Sequence, residues 1–214
     1  MSTIAPAERY AGGPREGQGD IDARALPSFA FGSRSTMWWG TLGVAAIEGM
    51  VFALAIMMYV YVRTRVKVWP LDVPPPDLFW GTLNTVILLV SCVPNHLAKK
   101  AAERLDLPGV RLWTSVCAAF AVAFLVVRGF EFATLNVRWD YNAYGSAVWL
   151  LLGLHTTHLA TDFYDTAVLT VLLFTGPLEE KRFVDVSENA FYWYFVVLAW
   201  LPIYFVVYWG ARLL

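Results

Sequence analysis

Residues 38–63 read WWGTLGVAAIEGMVFALAIMMYVYVR. From Trp38 to Val62 every residue is apolar, small or aromatic except Glu48, and about 20 such residues carry a helix across the hydrocarbon core of a bilayer. A carboxylate therefore sits near the middle of a membrane span. That costs roughly 2.5 to 3.5 kcal/mol on insertion scales, so the group is expected to face protein, water or a lipid headgroup rather than acyl chains. Ala45, Gly49 and Ala53 recur beside it at four-residue steps, a spacing that predicts a groove for another helix.

The rest of the chain supports a membrane assignment. Of 214 residues, 58% are hydrophobic and only 15% charged, against about a quarter charged in ordinary soluble domains; the mean hydropathy is +0.52. A net charge of −1 argues against a nucleic-acid surface, and 10 Trp with 10 Tyr suit rings placed at two membrane interfaces. Cys92 and Cys117 lie inside apolar runs and read as small buried hydrophobes. Residues 1–37 are rich in Gly, Pro and charge and lack an apolar signal core, which predicts a partly disordered cytoplasmic tail ahead of a membrane domain at 38–214.

Five apolar runs are expected to cross the membrane: 38–62, 78–97, 110–132, 143–174 and 190–211. They are separated by the Pro-rich WPLDVPPPD, the charged AKKAAERLDLPG, NVRWDYNAYGS and TGPLEEKRFVDVSE. The fold class is thus all-α, a polytopic bundle of five transmembrane helices. With the N-terminus cytoplasmic, that side carries Arg9, Arg15, Arg24, Arg34, Lys99, Lys100, Arg104, Arg111, Lys181 and Arg182, against Arg63, Arg65, Lys67, Arg128, Arg138 and Arg212 opposite. The excess favours a cytoplasmic N-terminus.

The fourth run carries His155, His158, Asp162 and Asp165 at offsets that fall within an arc of about 80° on a helix. This polar stripe is expected to face protein, with His158 and Asp162 hydrogen-bonded one turn apart. Arg128 and Glu131 are also one turn apart, near the outer end of the third run, and read as a pair on the helix surface. Three histidines, two of them on one helix face, cannot house a haem-copper centre, and no Glu-x-x-His of the di-iron bundles occurs. No catalytic residue and no metal ligand is assigned.

With these pieces placed, the chain resembles subunit III of haem-copper terminal oxidases in its short five-helix form, from about Trp38 to Gly210. IEGMVFALAIMMYVYVR is similar to the family's glutamate-bearing helix, with Glu48 on its carbodiimide-reactive glutamate. WPLDVPPPDLFWGTLNTVILLVS matches a Trp-Pro loop and an Asn-Thr helix through Trp69, Pro70, Asn84, Thr85 and Ser91. GFEF places Glu131 on an outer glutamate, and YNAYGSAVWLLLGLHTTH matches Tyr144, Gly145, Ser146, Gly153, His155 and His158. SENAFYWYFVVLAW resembles the last helix through Glu188, Trp193 and Trp200. The chain departs from the pattern at Tyr194 and Val197, where the family commonly has His and Asp, and at Asp162, where a small residue is usual.

The resemblance implies an accessory subunit without its own redox centre in the inner membrane of a bacterium. It would pack on the catalytic subunit I and on subunit II, which hold the haems and copper, bind phospholipids and support proton uptake. Glu48, Glu131, His155, His158 and Asp162 are its lipid- or proton-related candidates. Two other readings stay open at this point: a subunit III-like component of a quinol oxidase or nitric-oxide reductase, and a small proton or metal transporter using the fourth-helix stripe.

Overall fold

The computed structural model describes residues 30–176 and 180–213; most of the proposed tail, residues 1–29, lies outside them. The described chain forms five long helices: α1 (Thr36–Thr64), α2 (Leu78–Glu103), α3 (Leu107–Ala133), α4 (Ala143–Thr175) and α5 (Lys181–Tyr204). α5 runs on through a π turn at Phe205–Trp209 and a last turn at Gly210–Leu213. Among the described residues there is no strand. The starts are set by local chemistry: Ser35, Asp77, Asp106 and Asn142 each accept from a backbone N–H of the first turn that the helix itself leaves unpaired.

The helices exceed the apolar runs. α2 continues past Pro94 and Leu97 to Glu103, and α5 begins at Lys181, nine residues ahead of its apolar run. Much of the sequence expected to form charged loops is therefore helix, because backbone hydrogen bonding and end caps, not hydropathy, decide where a helix stops. Only Arg104–Asp106 separates α2 from α3, and Leu105 makes that turn with a left-handed φ of 57°.

Among the described residues four helices are long and apolar enough to cross a membrane: α1, α2, α3 and the stretch Lys181–Leu213. The fifth expected span, α4, is not among them. At 33 residues it is about 50 Å long, but His155, His158, Asp162, Asp165 and a run of threonines dilute its hydropathy.

α5 sits centrally, against α1, α2 and α4, while α3 bridges α2 and α4. The α2–α5 seam is sewn by side-chain hydrogen bonds. Thr82 meets Tyr204 at 2.7 Å, Trp200 donates to Thr85 at 2.8 Å, Trp193 to Ser91 at 2.9 Å, and Asn95 to the Ala190 carbonyl at 2.9 Å. As α2 ascends its partners descend, which fixes an antiparallel register. Around this seam lies a core of Leu88, Phe124, Leu151, Leu152 and Ile203. α1 is held mainly by α4 and α5. Its packing stripe is Ala45, Phe52, Ala55 and Tyr59; Ala45 is buried and Gly49 faces Phe195 of α5, but Ala53 is exposed, so the expected Ala45, Gly49, Ala53 groove does not continue past Gly49.

The loop between α1 and α2 lies over one end of the bundle. Trp69, which precedes a cis Pro70, donates to Tyr59 at 3.0 Å and stands edge-on to Tyr144 at 4.9 Å. Asn142 and Arg212 donate to the carbonyls of Leu71 and Pro76. At the neighbouring end of α2, Gly81 lies directly under the Tyr208 ring, where a Cβ would overlap it. Gly81→Val should displace Tyr208 and lower stability by about 1 to 3 kcal/mol. Thermal unfolding in detergent, followed by near-ultraviolet circular dichroism, measures this; an unchanged midpoint would contradict the packing described.

Candidate functional site

Arg128 and Glu131 are not a surface pair. Their side chains are 1% and 2% exposed and lie 2.9 Å apart, buried between the helices toward the C-terminal end of α3. Two charges removed from water are costly unless most of their remaining donors and acceptors are met; here Arg128 Nε and Asn84 Oδ1 have no hydrogen-bond partner among the described residues. Glu131 also accepts from Asn84 of α2 and Tyr208 of α5. The Arg128 guanidinium stacks over Trp200 at 4.2 Å and Phe124 at 4.8 Å, both favourable for a cation on an aromatic face. α4 closes the network through His155. Its Nε2 stands 3.1 Å from the Val196 carbonyl, which can only accept, so Nε2 carries the proton and Nδ1 faces Arg128 Nη2 at 3.5 Å as an acceptor. One charged pair on α3 thereby gathers α2, α4 and α5.

A second polar cluster joins α1 to α4 and α5. Tyr192 donates to Glu48 Oε2 at 2.6 Å, and His158 Nε2 lies 3.6 Å from Glu48 Oε1. His158 Nδ1 donates to the Leu154 carbonyl at 2.7 Å, so this nitrogen holds a proton. The cluster thus ties α1 to α5 through a hydrogen bond and brings it against α4 at His158. Val44, Ile47 and Val51 near it in sequence are exposed, while Phe52 packs on His158 at 4.8 Å.

The expected His158–Asp162 hydrogen bond is replaced on both sides. His158 turns to Glu48, while Asp162, 1% exposed, accepts from Asn189 of α5 at 3.3 Å. Asn189 in turn accepts from Thr166 at 2.9 Å. The fourth-helix stripe is accordingly divided. His155 and Asp162 are buried, His158 is partly buried, and Asp165 is exposed. Residues one turn apart on a helix are near each other, but a neighbouring helix offers partners along the direction in which the side chains project. Tyr192, Asn189 and Tyr208 carried no sign of these roles in the sequence, since their partners are distant in the chain. Asn84 had been marked only as a family position.

Below Glu48 a cleft of about 730 Å³ opens between α1, α4 and α5. Glu48, Asp165, Asp185, Glu188 and Tyr192 supply its polar wall. Among the described residues no group of three or more His, Cys, Asp or Glu is placed to hold a metal ion.

Comparison with known proteins follows the same lines. The family model for cytochrome c oxidase subunit III matches residues 66–212. The chain is 25% identical to cytochrome c oxidase subunit 3 of Thermostichus vulcanus over 172 residues, covering 79% of this chain and 85% of the relative. It is 24% identical to cytochrome c oxidase subunit 3 of Synechocystis sp. over 196 residues, covering 88% and 83%. A probable cytochrome c oxidase subunit 3 of Mycobacterium bovis is 28% identical over 181 residues, covering 79% and 85%.

The buried pair has a measurable consequence. Arg128→Met strands the Glu131 carboxylate and should cost about 3 to 5 kcal/mol, whereas adding Glu131→Gln to it should recover part of that loss. Thermal midpoints of the two single variants and the double variant decide this. Strictly additive losses would show that the two charges do not depend on one another.

Proposed function

The chain belongs to the cytochrome c oxidase subunit III family, and from that premise we propose that it is the accessory, non-redox subunit of a haem-copper terminal oxidase in a bacterial inner membrane. It packs on the catalytic subunit I, with subunit II as a further neighbour, and the haems and copper of oxygen reduction reside in those partners. α4 crosses the membrane beside the four more apolar helices, giving five spans with the N-terminus cytoplasmic. Membrane phospholipids cover its outward faces. These include the exposed Ile47, Met50, Leu54 and Met57 of α1 and Val86, Leu89 and Val93 of α2.

The observation that carries this reading is the family match across residues 66–212. The disposition of the polar residues supports it. Glu131, His155 and Arg128 are occupied with one another and with Asn84 and Tyr208, which suits holding helices in place. Asp162 is tied to Asn189 in the same manner. Glu48 is held by Tyr192 and lies beside His158, and a carboxyl engaged in a fixed contact between helices suits a fastening role better than a carrier's. Its work in this reading is to fasten the peripheral α1 and to shape the cleft beside it. Support of proton uptake then comes indirectly, through the packing of the subunit on its catalytic partner.

Two measurements test the proposal. The tagged chain, drawn from its native membrane in mild detergent, should bring a haem-bearing partner with the absorption bands of haem a, b or o; a colourless, monodisperse monomer would overturn it. In the intact complex, Glu48→Gln should leave the initial rate of oxygen reduction within about twofold, a barrier change of roughly 0.4 kcal/mol, with faster loss of activity over repeated turnovers. An immediate tenfold drop at full haem content would place Glu48 on an obligatory proton path.

A further inference from the structure

We propose that the outward face of α4 around Thr157, Thr161 and Tyr164 receives a transmembrane helix of the haem-bearing partner, one that presents hydrogen-bond donors to it. The proposal rests on the reading of this chain as an accessory subunit whose α4 crosses the bilayer, and it adds the surface and the chemistry of the contact. On a helix Gly153, Thr157, Thr161, Tyr164 and Val168 fall within an arc of about 80°. Thr157, Thr161, Tyr164 and Val168 of this stripe are exposed, and at Gly153 nothing stands within 4 Å of where a Cβ would be.

A helix face that meets lipid is aliphatic in its middle and aromatic near the two membrane interfaces. The outward face of α1 has that order: Trp39 and Tyr61 stand exposed near its ends, with Ile47, Met50, Leu54 and Met57 between them. On α4 the order is reversed. Thr157, Thr161 and Tyr164 lie within about 8 Å of the helix midpoint along its axis, inside a hydrocarbon core that extends about 15 Å to either side. The exposed aliphatic residues Leu150, Val168 and Val171 lie farther out. Tyr164, 68% exposed, is thus an outward phenol at a depth where lipid offers only acyl chains. The same outward polarity contributes to the low hydropathy that sets α4 apart from α1, α2 and α3.

The chemistry of the face selects its occupant. Thr157 and Thr161 donate their hydroxyl protons to the Gly153 and His158 carbonyls at 3.0 and 2.8 Å, so both oxygens remain as acceptors. The exposed Asp165 carboxylate flanks them one turn beyond Thr161, at the rim of the cleft. Acyl chains have no donor for any of these groups. A second copy of this chain, related by a twofold axis along the membrane normal, would set Asp165 against Asp165 at one height and threonine acceptors against threonine acceptors. A partner helix with Asn, Gln, Trp, Lys or Arg side chains at these heights supplies the donors, and the small Gly153 beside Thr157 lets its backbone come close.

The test places the photoreactive residue p-benzoylphenylalanine at Thr157, Thr161 or Tyr164 of the tagged chain and, for comparison, at Met50 or Leu54 on α1, in membranes that hold the complete oxidase. Irradiation should yield an adduct with the haem-bearing subunit from the α4 positions, at least about fivefold more than from α1. Thr161→Leu and Asp165→Lys, both at exposed positions, should each lower the haem recovered per tagged chain at least about threefold in mild detergent, with the level of the chain in the membrane unchanged; Met50→Phe should leave that recovery within about twofold. Adducts chiefly from α1, adducts only with lipid or between two tagged chains, or haem recovery unmoved by both α4 variants would overturn the proposal. The unsubstituted chain separates the two readings. Full haem with no α4 adduct refutes this surface and leaves the assembly standing, whereas an absence of any haem-bearing partner refutes the assembly and this contact with it.

Discussion

The arrangement of this protein depends on a charged pair buried between its helices. Arg128 and Glu131 belong to one helix, but neither could be buried by that helix alone. Asn84 from α2, His155 from α4 and Tyr208 from α5 supply the missing contacts, and Trp200 and Phe124 cover the guanidinium with their ring faces. Because a buried ion that loses its partner is far more costly than one never introduced, these helices must arrive together in a narrow range of rotations and heights. In a bilayer the lipid chains are as apolar as leucine, so hydrophobic burial does little to choose among helix arrangements, and polar contacts of this kind carry more of the choice.

The same logic extends outward along the α2–α5 seam. Tryptophan N–H groups and small hydroxyls pair across it at Trp200–Thr85 and Trp193–Ser91, each satisfying a donor that would otherwise be stranded in an apolar interior. Four of the positions through which the chain resembles its family are these two pairs, and a fifth, Asn84, binds Glu131. The family signature in this chain is therefore in large part a record of contacts between helices. α1 is attached less extensively, through Phe52 and Tyr59 in the core and through Glu48 at Tyr192 and His158. A single carboxyl that two other helices can grasp is an economical way to hold a peripheral helix in an apolar medium.

The two regions differ in one physical respect. Around Glu131 both carboxylate oxygens are met from within the chain; around Glu188 neither has a partner among the described residues. The first pattern closes a network, and the second leaves a buried carboxyl that adds nothing to it. Asp162 stands between them. It is buried, with one oxygen held by Asn189 and the other without a partner among the described residues.

Much of the architecture was legible in the sequence, because the demand to bury backbone polar groups in a membrane admits only continuous helices in runs of this length. The five apolar runs located the five helices, and the ordered motifs from Glu48 to Trp200 indicated the family. The helix ends were not legible: Lys99 to Glu103 and Lys181 to Glu188 look like loop by composition yet continue their helices, since caps and neighbours, not hydropathy, set those limits. Nor did the spacing of side chains decide which groups pair. His158 and Asp162 are one turn apart, and sequence spacing joined them; the tertiary structure sends one to Glu48 on α1 and the other to Asn189 on α5. Arg128 and Glu131 do pair as their spacing suggested, but whether that pair lay in the core or on the surface could not follow from an apolar helix that looks alike on all sides. Local periodicity determines which residues share a helix face. Only the rotation of each helix against its neighbours determines what that face meets, and that rotation is a property of the whole bundle.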